Sequence, residues 1–138
     1  MTPDDLYAVR WIGEADISPD GSRVAFVVTQ MDRETDGYKS AIWVADTAGG
    51  EPRQFTAGAK RDTSPRWSPD GSMLAFVSER GEDKPQLALM PAAGGESRLL
   101  TKLPLGAGVP VWSPDGTRIA LSAKTGTPPD PDPKKAKP

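Results

Sequence analysis

The stretch Trp-Ser-Pro-Asp-Gly-Ser at residues 67–72 contains a tetrapeptide, SPDG, that the chain spells three times. Its copies occupy residues 18–21, 68–71 and 113–116. A second marker, AGGE, occurs at 48–51 and at 93–96, and SPDG begins 20 residues after the start of each copy. The unit is therefore 45 to 50 residues long, and its variable part is the charged stretch QMDRETDGYKS against ERGEDKPQ. Such a period indicates stacked structural units, whereas a catalytic motif is needed only once.

Four segments in each unit have the pattern of a β-strand. Apolar residues alternate after each SPDG, with an alanine between them. The aligned positions are Val24, Leu74 and Ile119; Ala25, Ala75 and Ala120; and Phe26, Phe76 and Leu121. The next strands are AIWVA with QLALM and PRQFT with SRLLT, and a fourth leads into each following SPDG. Strands that are apolar on both faces, four to a unit of this length, predict an all-β fold of β-propeller blades, each a four-stranded antiparallel meander.

The chemistry of SPDG is that of a tight turn. Proline presets φ, the serine and aspartate oxygens can accept from nearby backbone N–H groups, and glycine accepts a left-handed conformation. A type I turn followed by such a glycine closes a hairpin with a bulge. The predicted turn residues are Ser18, Pro19, Asp20, Gly21, Ser68, Pro69, Asp70, Gly71, Ser113, Pro114, Asp115 and Gly116. Trp67 and Trp112 recur at one position of the unit and are predicted to be packing anchors.

Counting the units predicts about two and a half blades of an incomplete propeller. The predicted boundaries are a capped N-terminal helix at 1–13, a first blade at 14–58, a second at 59–103, the start of a third at 104–125, and a Pro/Lys-rich linker or insertion loop at 126–138. Propellers close with roughly four to eight blades. We therefore expect the chain to be part of a larger protein or to associate with something.

The N-terminal helix is predicted from its capping residues. Thr2 can cap, Pro3 suits the first helical position, and Asp4 and Asp5 favour the positive end of the helix dipole. The spacing leaves open whether such a helix docks on the same domain or on a second one.

Composition excludes several classes of function. The chain has no cysteine and no histidine, so a Ser-His-Asp or Cys-His group cannot be assembled from it alone, nor can a thiolate or histidine metal site. A net charge of −2 gives no strong field for nucleic acid or an anionic membrane, so neither is expected as a partner. No catalytic, cofactor-binding or metal-binding residue and no cofactor is predicted. The N-terminus lacks the pattern of a secretory signal, which predicts a cytoplasmic location.

Four sharper interpretations compete with structural roles. The three motif serines lack a general base, so a turn role is favoured over a nucleophilic one. The motif aspartates have at most one neighbouring carboxylate, too few oxygen ligands for calcium. The two tryptophans are favoured as packing anchors over ligand-stacking groups. Glu14 and Asp16 precede the first SPDG, and for them a solvated loop is favoured over substrate contact.

The repeated residues resemble a known family. The pattern PxWSPDGxxxAFxS followed by GGExRxLT resembles the propeller repeat shared by TolB-like proteins and the prolyl oligopeptidase family of serine peptidases. The opening TPDDLYAVRWIGEADISPDGSRVAFVV resembles the start of the acylaminoacyl-peptidase branch of that family. The resemblance covers residues 2 to about 125. It implies a two-domain enzyme in which a propeller caps an α/β-hydrolase domain that carries Ser, Asp and His, with the serine in G-x-S-x-G.

The chain contains no G-x-S-x-G, so no catalytic residue is carried over from the family. We expect an N-terminal part of the substrate-gating propeller of a cytoplasmic serine peptidase, inactive alone, whose partners are the remaining blades, the C-terminal hydrolase domain and, through them, peptide substrates. A non-enzymatic TolB-like propeller that binds other proteins is the alternative, as is a short chain that self-associates to complete a propeller. Open sheet edges predict self-association of the isolated chain, first at the third blade, where Ile119 and Leu121 lack partner strands.

Overall fold

The computed structural model of the protein describes residues 9–32, 37–58, 60–79 and 84–123. These residues form ten strands: β1 (Arg10–Ile17), β2 (Arg23–Asp32), β3 (Gly37–Asp46), β4 (Arg53–Gln54), β5 (Asp62–Trp67), β6 (Met73–Ser78), β7 (Gln86–Pro91), β8 (Arg98–Leu99), β9 (Ala107–Trp112) and β10 (Ile119–Ala123). The described part of the chain contains no helix.

The strands form three antiparallel sheets in chain order. The first sheet, called blade 1, is β1-β2-β3-β4, and the second, blade 2, is β5-β6-β7-β8. The third, blade 3, pairs β9 with β10. Each SPDG copy joins the first strand of a sheet to the second. The prediction of an all-β fold of four-stranded antiparallel propeller blades is confirmed.

The prediction of a helix through residue 13 is wrong in its last part. Residues 10–13 belong to β1, where Arg10 pairs with Gln30 and Gly13 with Val27. Pairing along β2 outweighs the local capping pattern at these residues, because strand hydrogen bonds and sheet packing commonly override intrinsic propensity. Residues 1–8 of the predicted helix and the predicted linker at 126–138 lie outside the described residues.

Two hydrophobic clusters hold the sheets together face to face. The first lies between blades 1 and 2 and contains Ala25, Val27, Ile42, Val44, Trp67, Leu74, Phe76, Ala88, Met90 and Ala92. The second lies between blades 2 and 3, with Ala75, Leu87, Leu89 and Ala107 at its centre and Met73, Trp112, Ile119 and Leu121 packed against it. Blade 2 is therefore covered on both faces, as the apolar alternation of its strands predicts.

Among the residues that the structure describes, blade 1 is covered on one face only. Its other face carries Val24 and Phe26, which the repeat aligns with the fully buried Leu74 and Phe76 of blade 2. Val24 and Phe26 are only half-buried, and the adjoining Ile17 is 62% exposed. Ile119 and Leu121 of blade 3 pack against blade 2.

Equivalent phenylalanines on blades 1 and 2 provide a test of this one-sided burial. We predict that Phe76→Leu lowers the free energy of unfolding by about 1–3 kcal/mol, because it opens a cavity in a fully packed site. Phe26→Leu should cost about 0.5 kcal/mol or less, because its face is partly open to solvent. Urea unfolding followed by circular dichroism measures both variants. Equal losses would contradict the assignment of the open face to blade 1.

Candidate functional site

The three SPDG copies adopt one turn geometry. In each, the glycine N–H donates to the carbonyl of the serine three residues before it, at 2.8, 2.8 and 2.9 Å. The glycine φ angles are 75°, 75° and 74°, in the left-handed region that glycine tolerates. The serine N–H then donates to the carbonyl five residues on, as in Ser68 to Met73 at 2.9 Å, and closes the hairpin.

The motif side chains are used within the turn itself. Asp70 Oδ1 accepts from Ser68 Oγ at 2.7 Å, from Ser72 N at 3.0 Å and from Ser72 Oγ at 2.7 Å. Ser68 Oγ accepts in turn from Met73 N at 3.0 Å. The same bonds recur around Asp20 and Asp115, with Thr117 in the place of the second serine in the third copy. Each motif serine therefore donates to a carboxylate and accepts from the backbone.

These hydrogen bonds stabilise the ionised carboxylates. The Ser22 hydroxyl contributes most to lowering the pKa of Asp20 to about 2, and the Ser72 backbone N–H does so for Asp70, whose pKa is also about 2. The Ser113 hydroxyl is the largest cause for Asp115, with the same result. Three aspartates are thus fixed as anions. Among the described residues there is no group of three or more acidic side chains that could hold a metal ion.

Neighbouring turns stack on one another along the propeller. A Cβ on Gly71 would lie 3.7 Å from Pro19 Cδ of the preceding turn, and one on Gly116 would lie 3.6 Å from Pro69 Cδ. The proline of each turn therefore faces the glycine of the next. The three motifs form one continuous row at one end of the blades.

The two predicted anchors, Trp67 and Trp112, tie each blade to the one before it. Trp67 Nε1 donates to the carbonyl of Asp16 at 2.9 Å, and Trp112 Nε1 donates to that of Arg66 at 3.0 Å. Asp16 and Arg66 each lie two residues before an SPDG serine. The donor and the acceptor of this bond therefore occupy equivalent positions in successive units. In blade 1 the tryptophan position is occupied by Ile17, which has no donor.

An arginine reinforces the joint between blades 1 and 2. The guanidinium of Arg23 lies 5.0 Å from the centre of a Trp67 ring, which is the geometry of a cation–π contact. Its Nη1 also donates to the carbonyl of Ala92 at 2.8 Å. Between blades 2 and 3 the aligned position is Met73, which packs in the cluster that contains Trp112.

Glu14 and Asp16 lie within strand β1 and bridge the two blades. Ser64 Oγ donates to Glu14 Oε2 at 2.9 Å, and Trp67 N donates to Asp16 Oδ2 at 2.9 Å. Glu14 and Ser64 both stand at bulges, with φ angles of 36° and 57°. Each precedes an SPDG serine by four residues. Sequence reasoning missed this pair, although the aligned spacing was a signal that could have found it.

Two of the cavities in the described part of the chain adjoin blade 1. One of about 230 Å³ adjoins the open face of blade 1 and is lined by polar and basic groups that include Arg10, Gln30 and Lys39. Another of about 430 Å³ lies between blades 1 and 2 and includes Thr56 and Asp62. Thr56 Oγ1 accepts from Ile42 N, and Asp62 Oδ1 accepts from Ser78 Oγ. These polar groups hold strands in place.

No helix among the described residues is long and apolar enough to cross a membrane.

Two four-stranded meanders and a two-stranded sheet, stacked face to face with a repeated indole bond between neighbours, define a propeller protein. The chain belongs to the family described as the TolB beta propeller domain, whose model matches residues 12–129. It is 44% identical over 90 residues to the uncharacterized peptidase YuxL of Bacillus subtilis strain 168. These 90 residues are 65% of this chain and 14% of that protein. The resemblance to the propeller portion of prolyl oligopeptidase family peptidases is thereby confirmed.

Two solved structures share the fold. The acylaminoacyl peptidase of Pyrococcus horikoshii aligns with a TM-score of 0.70 at 17% identity, over 84% of this chain and 18% of that one. The putative TolB of Agrobacterium tumefaciens aligns with a TM-score of 0.63 at 24% identity, over 79% of this chain and 38% of that one. The chain thus matches about one seventh of the length of its curated peptidase relative.

The indole bond can be tested by removing its donor. We predict that Trp67→Phe lowers the free energy of unfolding by about 1–3 kcal/mol, because the Asp16 carbonyl loses a buried partner. Trp11→Phe, at an exposed tryptophan, should change it by about 0.5 kcal/mol at most. Urea unfolding followed by circular dichroism is the measurement. A Trp67 variant as stable as the Trp11 variant would show that the bond contributes nothing.

The turn carboxylates predict a dependence of stability on pH. Their folded pKa values of about 2 lie below the ordinary value of 3.8, so their contribution is present above pH 3.8 and is lost as the pH falls toward 2. A triple variant, Asp20→Asn, Asp70→Asn and Asp115→Asn, should be less stable at pH 7 and should lose less stability between pH 4 and pH 2. Urea midpoints across this range measure the effect. The control is Glu51→Gln, outside the turns, which should keep the slope of the unmodified chain; an unchanged slope in the triple variant would contradict the prediction.

Proposed function

We propose that the chain is the N-terminal part of the substrate-gating propeller of a serine-type peptidase that resembles acylaminoacyl-peptidase. Peptide hydrolysis would be performed by an α/β-hydrolase domain elsewhere in the parent protein. The observation that carries the proposal is the 44% identity to a peptidase over 90 residues of this chain. A cytoplasmic location stays a prediction from the sequence.

The motif serines are proposed to serve the turns rather than catalysis. Ser68 is 3% exposed, and its hydroxyl already bonds Asp70 and the Met73 backbone. The chain has no histidine to act as a general base, so on its own it should be inert. Catalytic Ser, Asp and His would all come from the hydrolase domain.

Gating would follow from the rigidity of the joints. The first strands of the blades, β1, β5 and β9, carry these bonds between neighbouring blades, and propellers are arranged around a central channel. Bonds such as Ser64 to Glu14 and Trp67 to Asp16 join these first strands across the blades. A channel of fixed width would admit peptides and exclude folded proteins from the nucleophile.

Self-association of the isolated chain is proposed through its incomplete sheets. The outer strands β4 and β8 are only two residues long, so they are poor templates for pairing. β10 has five residues, and among the described strands it pairs only with β9, so its second edge is the better template. Light scattering over a dilution series reports whether the chain associates.

A non-enzymatic role resembling that of TolB is the second candidate. It is favoured by the matching family model, which is that of the TolB propeller, and by the fold shared with the Agrobacterium protein. In that case the propeller would bind other proteins through its surface and would not be joined to a hydrolase domain.

The deciding experiment assays the complete product of the reading frame that encodes this sequence. We predict hydrolysis of an acyl-alanine ester by the complete product and none above background by the 138-residue chain. Ser18→Ala, Ser68→Ala and Ser113→Ala in the complete product should retain kcat, because these serines belong to turns. Hydrolysis by the purified short chain, with contaminants excluded, would overturn the proposal, and so would a complete product without peptidase activity.

A further inference from the structure

The hairpin of β2 and β3 extends beyond the neighbouring blade. The ladder between β6 and β7 ends at Ser78 and Gln86, which the repeat aligns with Val28 and Ala41. The ladder between β2 and β3 continues for four more pairs, ending at Asp32 and Gly37. At about 3.3 Å per residue, these four pairs project by roughly 13 Å. We call residues 29–32 and 37–40, with residues 10 and 11 of β1 beside them, the overhang.

The overhang carries an exposed aromatic pair. Trp11 is 45% exposed and Tyr38 is 51% exposed. Their ring centres lie 5.9 Å apart with an interplanar angle of 72°, an edge-to-face contact. Large aromatic side chains of this kind are enriched in the centres of protein interfaces, because they supply contact area at a low cost in conformational entropy.

Blade 2 supports the base of the overhang. Arg61 Nε donates to the carbonyl of Tyr38 at 3.3 Å and lies 3.8 Å from a carboxylate oxygen of Glu79. The backbone N–H of Ser40 donates to the carbonyl of Lys60 at 2.8 Å. The aromatic pair is therefore presented on a braced hairpin rather than on an isolated loop.

Strand direction shows which end of the propeller leads to the rest of a longer chain. A blade with four antiparallel strands begins and ends at the same end of its sheet. β1 begins at the overhang, and β4 runs back toward that end before the chain crosses to the start of β5. The SPDG turns lie at the opposite end. A chain that leaves the last blade of such a propeller therefore leaves at the end that carries the overhang.

We propose that the overhang, with Trp11 and Tyr38 at its centre, is the surface on which the domain that follows the propeller docks. This inference rests on the proposed function, in which that domain is the catalytic hydrolase of the same polypeptide. The matched segment makes up 14% of the curated peptidase relative, which leaves ample chain for such a domain. The aromatic pair would contact an apolar surface of that domain and fix its orientation over the propeller.

The test uses cysteine reactivity, since the 138-residue chain has no cysteine of its own. Tyr38→Cys and Trp11→Cys are made in this chain and in the complete product of its reading frame, where the reaction of the parent without either substitution is subtracted. We expect a thiol reagent to react about tenfold or more slowly with both positions in the complete product, because docking removes access to the thiol. Circular dichroism verifies that each variant is folded.

The matched control is Leu100→Cys, at a residue that is 44% exposed and lies just after the outer strand of blade 2. Its thiol should react at the same rate in both contexts. If the complete product is an active peptidase and Tyr38→Cys and Trp11→Cys react as fast as in the short chain, the docking surface is wrong while the proposed function stands. If both positions are protected but the product has no peptidase activity, the proposed function fails and docking of a following domain is retained. Protection that appears in the short chain as its concentration rises would identify a second copy as the occupant and would overturn the proposal.

Discussion

Each blade of this chain is apolar on both faces, and that constraint governs the rest of the structure. A sheet with Leu74 and Phe76 on one face and Ala75 and Val77 on the other cannot be stable in water alone. It must lie between two other sheets, so the fold grows by stacking. The indole bonds from Trp67 and Trp112 add direction to this packing, because each fixes a blade at one height relative to its neighbour.

The repeat predicted the blades and turns because it reports local chemistry. SPDG needs only its own six-residue neighbourhood to close: the glycine at positive φ, the serine and aspartate bonds, and the hairpin. Alternating apolar residues placed β2, β6 and β10 correctly for the same reason. Features that depend on neighbours in the chain are therefore the ones that the sequence predicts best.

The sequence predicted less where contacts between residues far apart in the chain determine the structure. Residues 10–13 continue a strand because β2 supplies its pairing, which no capping pattern reveals. Glu14 was considered as a substrate contact or a solvated residue, yet it accepts from Ser64 across two blades. The five extra residues of the first unit are visible in the sequence only as a difference in length between the two units. That they form regular ladder pairs carrying Tyr38 required the register of β3 against β2.

Ile17 makes the open face of blade 1 different from the joints between the described blades. A hydrogen bond has a direction, so the joints made by Trp67 and Trp112 resist sliding as well as separation. An isoleucine offers apolar contact, which is non-directional and resists separation far better than it resists sliding. A sheet that covers the open face of blade 1 would therefore gain no indole hydrogen bond at Ile17, whereas the joints between blades 1 and 2 and between blades 2 and 3 each have one.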